Sequence, residues 1–417
     1  MNTKIQELID RTRKTFGLAQ YHLKRKGFYR SINMFNETVY RFNMEWFPPH
    51  QTEPCDDDTN PEGTAVIEVN LNTGQFESAI FVMGKTYARN GVTFNSQNPN
   101  DIIPWVEQVT ALTYGDHFQL HKKEEGELLF GEGIDGYSVT PSGTIEVKWN
   151  QDGQLIYFVQ HGPFLAKQKF KHEEYTLSIE MVEHIAKQQV KRFEWPSFEQ
   201  QKMRSIYAVE EIYIKNDGKE TIPYGGRDKG RLKVNQIIEW NEPINESFVR
   251  KELDMHEEVS AEQAFSLEPS PDTIPISEKE KYECVKAVRI FLQKEYPQDT
   301  RKWLLDTLYR EHGYIHAILK TTDEDSGSQD KMLVFIDANT FEVLNYIDKK
   351  QMFNEFQKPK NITVSKEQAF HQMKENLKLT PIYVYDFSQE QYVLCGKLDG
   401  HDAVDAATGE MFPLEDL

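Results

Sequence analysis

One short pattern recurs along this chain of 417 residues and constrains its fold more than any other feature. An apolar or β-branched run leads into Asn or Asp, a few small or polar residues follow, and a second apolar run comes next. The pattern stands at residues 69–78 (VNLNTGQFES), 148–157 (KWNQDGQLIY), 335–344 (FIDANTFEVL) and 403–412 (AVDAATGEMF). Two apolar runs around a tight turn are typical of a β-hairpin. The chain is therefore predicted to contain four similar hairpins.

The turn residues explain why the pattern repeats. The carboxylate of Asp405 can accept hydrogen bonds from backbone amides two or three residues on, and Gly409 allows a positive φ without steric cost. Two other copies fit this scheme: Asn70 with Gly74, and Asp337 with Phe341 at the glycine position. The second copy keeps Asp152 and Gly153 and has Lys148 or Trp149 where the acid would stand, and a fifth, weaker hairpin is predicted around Asn216, Asp217 and Gly218. Catalysis by Asp337 and Asp405 is the alternative, but repeated turn acids are usually structural.

A second repeat predicts where helices begin. VSAEQAF at 259–265 returns as VSKEQAF at 364–370. In each copy a serine can cap the first turn while a glutamine three residues later reaches back to the cap, which is the capping box. The three predicted boxes are Ser260 with Gln263, Ser277 with Glu280, and Ser365 with Gln368. Further helices are predicted at 3–16, 100–113 and 178–193, and the helix after Ser277 carries an apolar face of Val285, Val288, Leu292 and Tyr296.

Helices that alternate with runs of antiparallel strands indicate an α+β fold built from small helix-on-sheet units. At 417 residues the chain exceeds one ordinary domain. The Pro- and Ser-rich stretch 268–277 is predicted to be a linker, and a second break is placed near 165. The predicted division is an N-terminal α+β region at 1–165, a middle α+β region at 166–267, the linker, and a C-terminal domain at 278–417.

The paired helix start and hairpin resemble the PepSY-like units of the YcdB/YcdC repeated-domain proteins of Gram-positive, spore-forming bacteria. The segment 381–412 carries the best match, and the resemblance extends from about 259 to 417 and, less closely, over 60–160. It implies repeated units, each a helix packed on a small antiparallel sheet, that act as inhibitory or partner-binding modules. Many relatives are exported, whereas this sequence shows no export signal, which counts against a role in the cell wall.

Charge and apolar content exclude several classes of function. Asp and Glu outnumber Lys and Arg by 67 to 48, and the net charge of −19 would repel nucleic acid. No apolar run approaches the roughly 20 residues that a membrane helix needs, so membrane insertion is not expected. The three cysteines, Cys55, Cys284 and Cys395, are odd in number and far apart, which suits a reducing compartment. A cytoplasmic location is therefore expected.

The sequence carries no familiar catalytic or phosphate-binding motif, and no cofactor is expected. Three segments partly match the patterns of known ligand sites. The acidic loop 55–63 spaces Asp56, Asp58 and Asn60 as in a calcium loop, but Pro61 and Ile67 replace the turn glycine and the last ligand. His117 with His121 and the glycine-rich stretch 225–231 also lack the secondary structure that a metal or phosphate site requires. All three are interpreted as loops.

The remaining hypothesis is a binding protein without catalytic activity. Along PIYVYDF, Tyr383, Tyr385 and Phe387 alternate and share one face of a predicted strand. If a helix covered the opposite, aliphatic face, these rings would be free to bind a protein or peptide. The function predicted from the sequence is thus that of an inhibitor, chaperone or scaffold. The alternative is a hydrolase whose site is assembled from residues distant in sequence.

Overall fold

The computed structural model describes residues 3–51, 59–94, 98–164, 170–198, 201–224, 229–322, 331–348, 356–357 and 362–417. The helices of these residues are α1 (Thr3–Thr15), α2 (Pro99–Thr110), α3 (Ile179–Gln189), α4 (Ala261–Ser266), α5 (Glu278–Glu295) and α6 (Lys366–Met373). Each of the six corresponds to a helix predicted from the sequence. Among the described residues, no helix combines the length and the apolar character that a bilayer crossing requires.

The first ten strands are β1 (His22–Ile32), β2 (Thr38–Phe47), β3 (Ala65–Asn70), β4 (Phe76–Phe81), β5 (Gln119–Glu124), β6 (Glu127–Gly131), β7 (Gly133–Ile134), β8 (Tyr137–Thr140), β9 (Thr144–Trp149) and β10 (Leu155–His161). Eight of them form one antiparallel sheet in the order β1-β2-β3-β4-β10-β9-β6-β5. Alternate residues such as Phe42, Ile67 and Phe158 are buried in one core with residues of α1 and α2. The opposite face of β2 and β3 carries polar side chains.

The remaining strands are β11 (Val190–Ser197), β12 (Lys202–Val209), β13 (Ile212–Lys215), β14 (Thr221–Pro223), β15 (Leu232–Ile238), β16 (Trp303–Glu311), β17 (Tyr314–Thr321), β18 (Lys331–Asp337), β19 (Val343–Asp348), β20 (Lys378–Asp386), β21 (Gln391–Asp399), β22 (Asp402–Asp405) and β23 (Met411–Pro413). They form sheets in the orders β11-β12-β22-β23, β14-β13-β21-β20-β8-β7 and β15-β16-β17-β18-β19. Apart from the parallel pair β8 and β20, the pairings within these sheets are antiparallel. The predicted α+β class is confirmed, whereas the PepSY-like repeat stays a prediction.

Three of the predicted hairpins close with the same hydrogen bonds. A side-chain oxygen accepts from the backbone amides two and three residues on, over 2.7 to 3.1 Å, in the turns that begin at Asn70, Asp337 and Asp405. The residue four positions on has a positive φ in each: Gly74, Phe341 and Gly409. A threonine hydroxyl then accepts the amide of the next strand at 3.2 to 3.4 Å. Similar sequence thus produces the same turn at three separate sites.

The second hairpin corrects one detail of the sequence interpretation. Its acceptor is Asn150, whose side-chain oxygen binds the amides of Asp152 and Gln154 at 3.0 and 2.9 Å. Lys148 and Trp149 instead belong to β9. This turn is one residue shorter than the other three. An alignment that gives all four turns the same length therefore places the acceptor at the wrong residue. In the fifth hairpin Asp217 accepts from Lys219 and Glu220, as expected for an Asx turn.

The predicted helix caps are confirmed. Both hydrogen bonds of the capping box are present at Ser260, Ser277 and Ser365. The face of α5 that contacts the five-stranded sheet buries Val285, Val288 and Leu292 as predicted. Local hydrogen bonding and apolar periodicity are therefore sufficient to place these helices.

Strand pairing divides the chain differently from the predicted boundaries. The hairpin β11–β12 pairs with the short hairpin β22–β23, through β12 and β22, and the hairpin β20–β21 pairs with β13–β14, through β21 and β13. The hairpins of two segments, 170–224 and 362–417, thus pair with each other in shared sheets. Residues 232–348 lie between them in sequence and form their own five-stranded sheet with α5. The middle region 166–267 and the C-terminal domain 278–417 do not match these pairings.

The stretch 268–277 is packed against the N-terminal sheet, in contrast to the predicted linker. Ser270 is only 2% exposed, and its amide donates to Thr38 Oγ1 at 2.7 Å. The Tyr40 hydroxyl donates to the carbonyl of Glu268 at 2.7 Å, and Asn36 donates to the carbonyl of Thr273 at 2.8 Å. Proline and serine here terminate secondary structure without separating two independent bodies, because the freed backbone groups bind β2 and the turn that precedes it.

Candidate functional site

The aromatic face proposed for partner binding is buried. Tyr383 is 0% exposed and Tyr385 is 4% exposed, while Phe387 is half-buried beside them. They form a cluster with apolar residues of four other segments, among them Ile134, Val139, Phe170, Tyr392 and Leu394. The expectation that these three rings lie on a free surface is therefore wrong.

The reason lies in the position of β20 within its sheet. It pairs with β21 along one edge and with β8 along the other, where the pairing covers residues 382–384 and so includes Tyr383. Its second face is also buried, because Val384 packs against Tyr213 and Cys395. Burial and the nearby carboxylate of Asp135 raise the pKa of Tyr383 to about 12, and the hydroxyl lies 3.3 Å from Asp135 Oδ2. Tyr383 is thus a structural residue.

An open groove lies next to this cluster, on the polar face of the eight-stranded sheet. Its volume is about 820 Å³, which falls within the usual range for ligand pockets. The floor consists of side chains from β2, β3, β4 and β10, among them Arg41, Glu68, Glu77 and Gln160. We call this space the sheet groove. The residues of its floor come from four strands between positions 39 and 161.

Hydrogen bonds hold the floor of the sheet groove in place. Arg41 forms an ion pair with Glu77 and donates to Ser31 Oγ at 2.6 Å, and Asn70 donates to the other oxygen of Glu77 at 2.7 Å. The Tyr29 hydroxyl donates to Glu68 at 2.7 Å. Burial, followed by the Glu68 carboxylate, raises the pKa of Tyr29. The floor therefore presents two carboxylates and one guanidinium in fixed positions.

The walls of the sheet groove are apolar and rest on the aromatic cluster. Phe35 lines the groove, and its ring centre lies 5.6 Å from that of Tyr385 and 5.7 Å from that of Phe387. Pro141 also lines the groove, and its carbonyl accepts a hydrogen bond from the Tyr392 hydroxyl at 2.9 Å. Phe164 completes the apolar lining. The residues predicted to bind a partner thus support the wall of a groove that other residues form.

The candidate nucleophiles and metal ligands remain apart. Burial raises the pKa of the thiols of Cys284 and Cys395 to about 12, and both cysteines are unpaired. The structure brings no three His, Cys, Asp or Glu side chains together as metal ligands within its described ranges. His117 Nδ1 accepts the amide of Thr113 at 3.0 Å, and burial lowers the pKa of His121 on β5. Cys55, Asp56, Asp58 and residues 225–228 of the glycine-rich stretch lie outside the described residues.

Sequence reasoning missed the sheet groove because its residues belong to unrelated motifs. The only available signal was the alternation along β2 and β3, where Arg41, Asn43 and Glu45 are polar at every second position, as are Glu68 and Asn70. That pattern predicts that one face of β2 and β3 lies outside the hydrophobic core. It does not predict which residues lie against that face. Pairing of β4 with β10 is what brings β3 and β10 into one floor.

The comparisons with known proteins find little. No family model matches the chain, and no curated protein matches its sequence. Among solved structures, the Bacillus megaterium YpeB C-terminal domain is similar at 8% sequence identity and a TM-score of 0.23, over 82% of this chain and 96% of that chain. A TM-score of that size carries no argument about fold or function.

Proposed function

We propose that this protein is a non-catalytic binding module that holds a segment of a protein or peptide in the sheet groove. The observation that supports this most is the groove itself, about 820 Å³ in volume, with a polar floor between apolar walls. An extended peptide offers both backbone hydrogen-bonding groups and side chains, which a surface of this composition can bind.

Charge favours a basic peptide. The floor carries Glu68 and Glu77 against the single guanidinium of Arg41, and the whole chain has a net charge of −19. Opposite charge speeds association and discriminates between partners more than it increases affinity. We therefore expect peptides with Lys or Arg to bind preferentially, and acidic segments and nucleic acid to bind poorly.

A peptide library displayed on phage tests this proposal. The full chain is immobilised, selected peptides are synthesised, and their affinity is measured by fluorescence polarisation. His161 is exposed and lines the groove, so His161→Trp should fill part of it and weaken binding at least tenfold. His22→Trp is the matched control, because His22 is exposed on β1 and does not line the groove.

Selection of no peptide, or of peptides whose affinity is the same for His161→Trp and the wild type, would exclude the groove as a binding site. Circular dichroism of both variants checks that their folds are retained. A hydrolase remains the alternative, and incubation of the selected peptides with the protein followed by mass spectrometry detects it through cleavage products.

Two further parts of the proposal concern relatives and compartment. We infer that the segments in which a helix precedes antiparallel strands and an Asx turn are PepSY-like repeats; the identical turns at Asn70, Asp337 and Asp405 support this. The cytoplasm is the proposed compartment, supported by the unpaired thiols of Cys284 and Cys395.

A further inference from the structure

A second, smaller cavity of about 240 Å³ adjoins the sheet groove. It lies between the end of β1, the segment 257–272, residues 230–231 and the turn between β16 and β17. Ser31 and Ile32 line both spaces. We call it the end cavity. Its volume is below the roughly 300–1,000 Å³ of pockets for drug-sized ligands, so it suits a small group such as one amino-acid residue.

The end cavity contains charges of both signs, and most of its cations are already paired. Arg30 forms an ion pair with Glu257. Arg310 binds Glu280 at 2.5 Å and donates to the carbonyl of Ile274 at 3.1 Å. The third guanidinium, of Arg231, lies 4.2 Å from the ring centre of Tyr309. Two further lining carboxylates, Asp272 and Glu311, form no ion pair with Arg30 or Arg310.

Asp272 lacks an ion-pair partner among the described residues. In the described part of the chain its carboxylate accepts the amide of Gly313 alone, at 3.2 and 3.4 Å. Burial raises the pKa of Asp272, which that backbone hydrogen bond and the charges of Arg30 and His312 oppose. A half-buried carboxylate without a direct ion pair is stabilised by any group that supplies further positive charge or hydrogen bonds.

Among the residues that the structure describes, Glu311 also has no charged partner at neutral pH. Glu311 Oε2 lies 3.6 Å from His316 Nδ1. Burial lowers the pKa of His316 to about 4, so this imidazole is neutral at pH 7. Within the described residues, Asp272 and Glu311 are therefore two lining carboxylates without an ion pair to a charged side chain at neutral pH.

A donor in the same wall also lacks a partner. The Arg30 side chain is 13% exposed, and its Nε–H is buried without an acceptor in the described part of the chain. A ligand that places an oxygen beside the Arg30 guanidinium and a cation near Asp272 would complement both charges. In a peptide, the free amino terminus and the first carbonyl oxygen have this arrangement of charge and acceptor.

We propose that the end cavity binds the free amino terminus of the peptide that lies in the sheet groove. The ammonium group contacts the Asp272 carboxylate, with Glu311 adding to the negative potential, and the first carbonyl lies on the side of Arg30. The chain then passes Ser31 and Ile32 into the groove. This inference rests on the proposed function, because the groove supplies the rest of the peptide site.

Two small probes test the end cavity separately from the groove. Glycinamide carries an ammonium group and a carbonyl, and N-acetylglycinamide lacks only the ammonium group. Titration followed by isothermal calorimetry should show millimolar binding of glycinamide and at least tenfold weaker binding of the acetylated probe. Asp272→Asn should reduce glycinamide binding to the same extent, because the amide keeps its hydrogen bond with Gly313 but loses the charge. Asp116→Asn, an exposed aspartate remote from the lining, is the matched control.

Equal binding of the two probes to the wild-type protein would overturn the proposal, as would no binding of glycinamide, and neither result depends on a variant that folds. Peptides selected on the full chain give an independent outcome. If they bind the groove equally well with and without N-acetylation, the end cavity is not their terminus site, but the proposed function stands. If glycinamide binds but no peptide is selected, the groove fails and the ammonium site remains.

Discussion

The ring of Phe35 packs edge-on against the ring of Tyr385, with 5.6 Å between their centres and an angle of 88°. Phe35 belongs to the turn between β1 and β2, and Tyr385 lies in β20, 350 positions later in the chain. This contact joins the wall of the sheet groove to an aromatic cluster of the C-terminal segment. A long-range packing interaction therefore sets the shape of a site whose floor is formed by the N-terminal strands.

Truncation of Tyr385 should destabilise the protein, since the ring is buried among Phe35, Phe387 and Tyr392. We expect Tyr385→Ala to lower the free energy of unfolding by about 3–5 kcal/mol, the usual cost of removing a buried aromatic ring. Urea denaturation measures this. Tyr282→Ala on α5 is the control, because that side chain is 67% exposed and should change stability by less than about 0.5 kcal/mol. If Tyr385→Ala left the free energy of unfolding unchanged, the ring of Tyr385 would have to be assigned to the surface.

The second hairpin offers a direct comparison of two adjacent turn residues. The side-chain oxygen of Asn150 accepts hydrogen bonds from two backbone amides, one of them that of Asp152. The exposed side chain of Asp152 accepts no hydrogen bond from the described residues. Asn150→Ala should cost about 1 kcal/mol of unfolding free energy, and Asp152→Ala should stay within about 0.5 kcal/mol of the wild type. Urea titrations of both variants decide the matter. The reverse order would contradict the assignment of Asn150 as the acceptor in this turn.

Buried His316 should make stability depend on pH in the mildly acidic range. Burial lowers the pKa of His316 from 6.5 to about 4, so between these values the unfolded chain binds a proton that the folded chain does not. Stability therefore rises with pH across this window and is lost as pH falls through it, by on the order of 2 kcal/mol. His316→Phe keeps ring contacts with Tyr309 and Phe335 but cannot titrate, so its urea midpoint should vary less between pH 4 and pH 6.5. The exposed His22→Phe serves as control, and identical pH profiles for His316→Phe and the wild type would contradict the assignment.

The pairing of hairpins from distant segments predicts which fragments fold alone. Residues 362–417 contain β20, β21 and β22 but lack their partners β8, β13 and β12, so this fragment should show no cooperative urea transition. Residues 229–348 retain a complete five-stranded sheet and the core on α5, and should unfold cooperatively. Circular dichroism of both fragments provides the test. Cooperative unfolding of 362–417 would contradict the dependence of its strands on β8, β12 and β13.

Local chemistry explains how much of the fold could be predicted. Helix caps such as Ser277 with Glu280 and turns such as Asp405 with Gly409 depend on hydrogen bonds within about six residues. The same holds for the apolar face of α5, which periodicity alone identifies. The acceptor of the second hairpin was assigned to the wrong position because its turn is shorter, so that Asn150 binds the turn amides.

The sequence by itself determined the helices, the hairpins and the α+β class, because each depends on interactions between neighbours in the chain. Only the tertiary structure decided which hairpins pair, and with them the burial of Tyr383 and the position of the sheet groove. Alternation along β20 defines two faces but not what covers them, since β8 and Phe35 come from distant parts of the chain. The end cavity likewise required that Arg30, Asp272 and Glu311 meet, and no local pattern links residues so far apart.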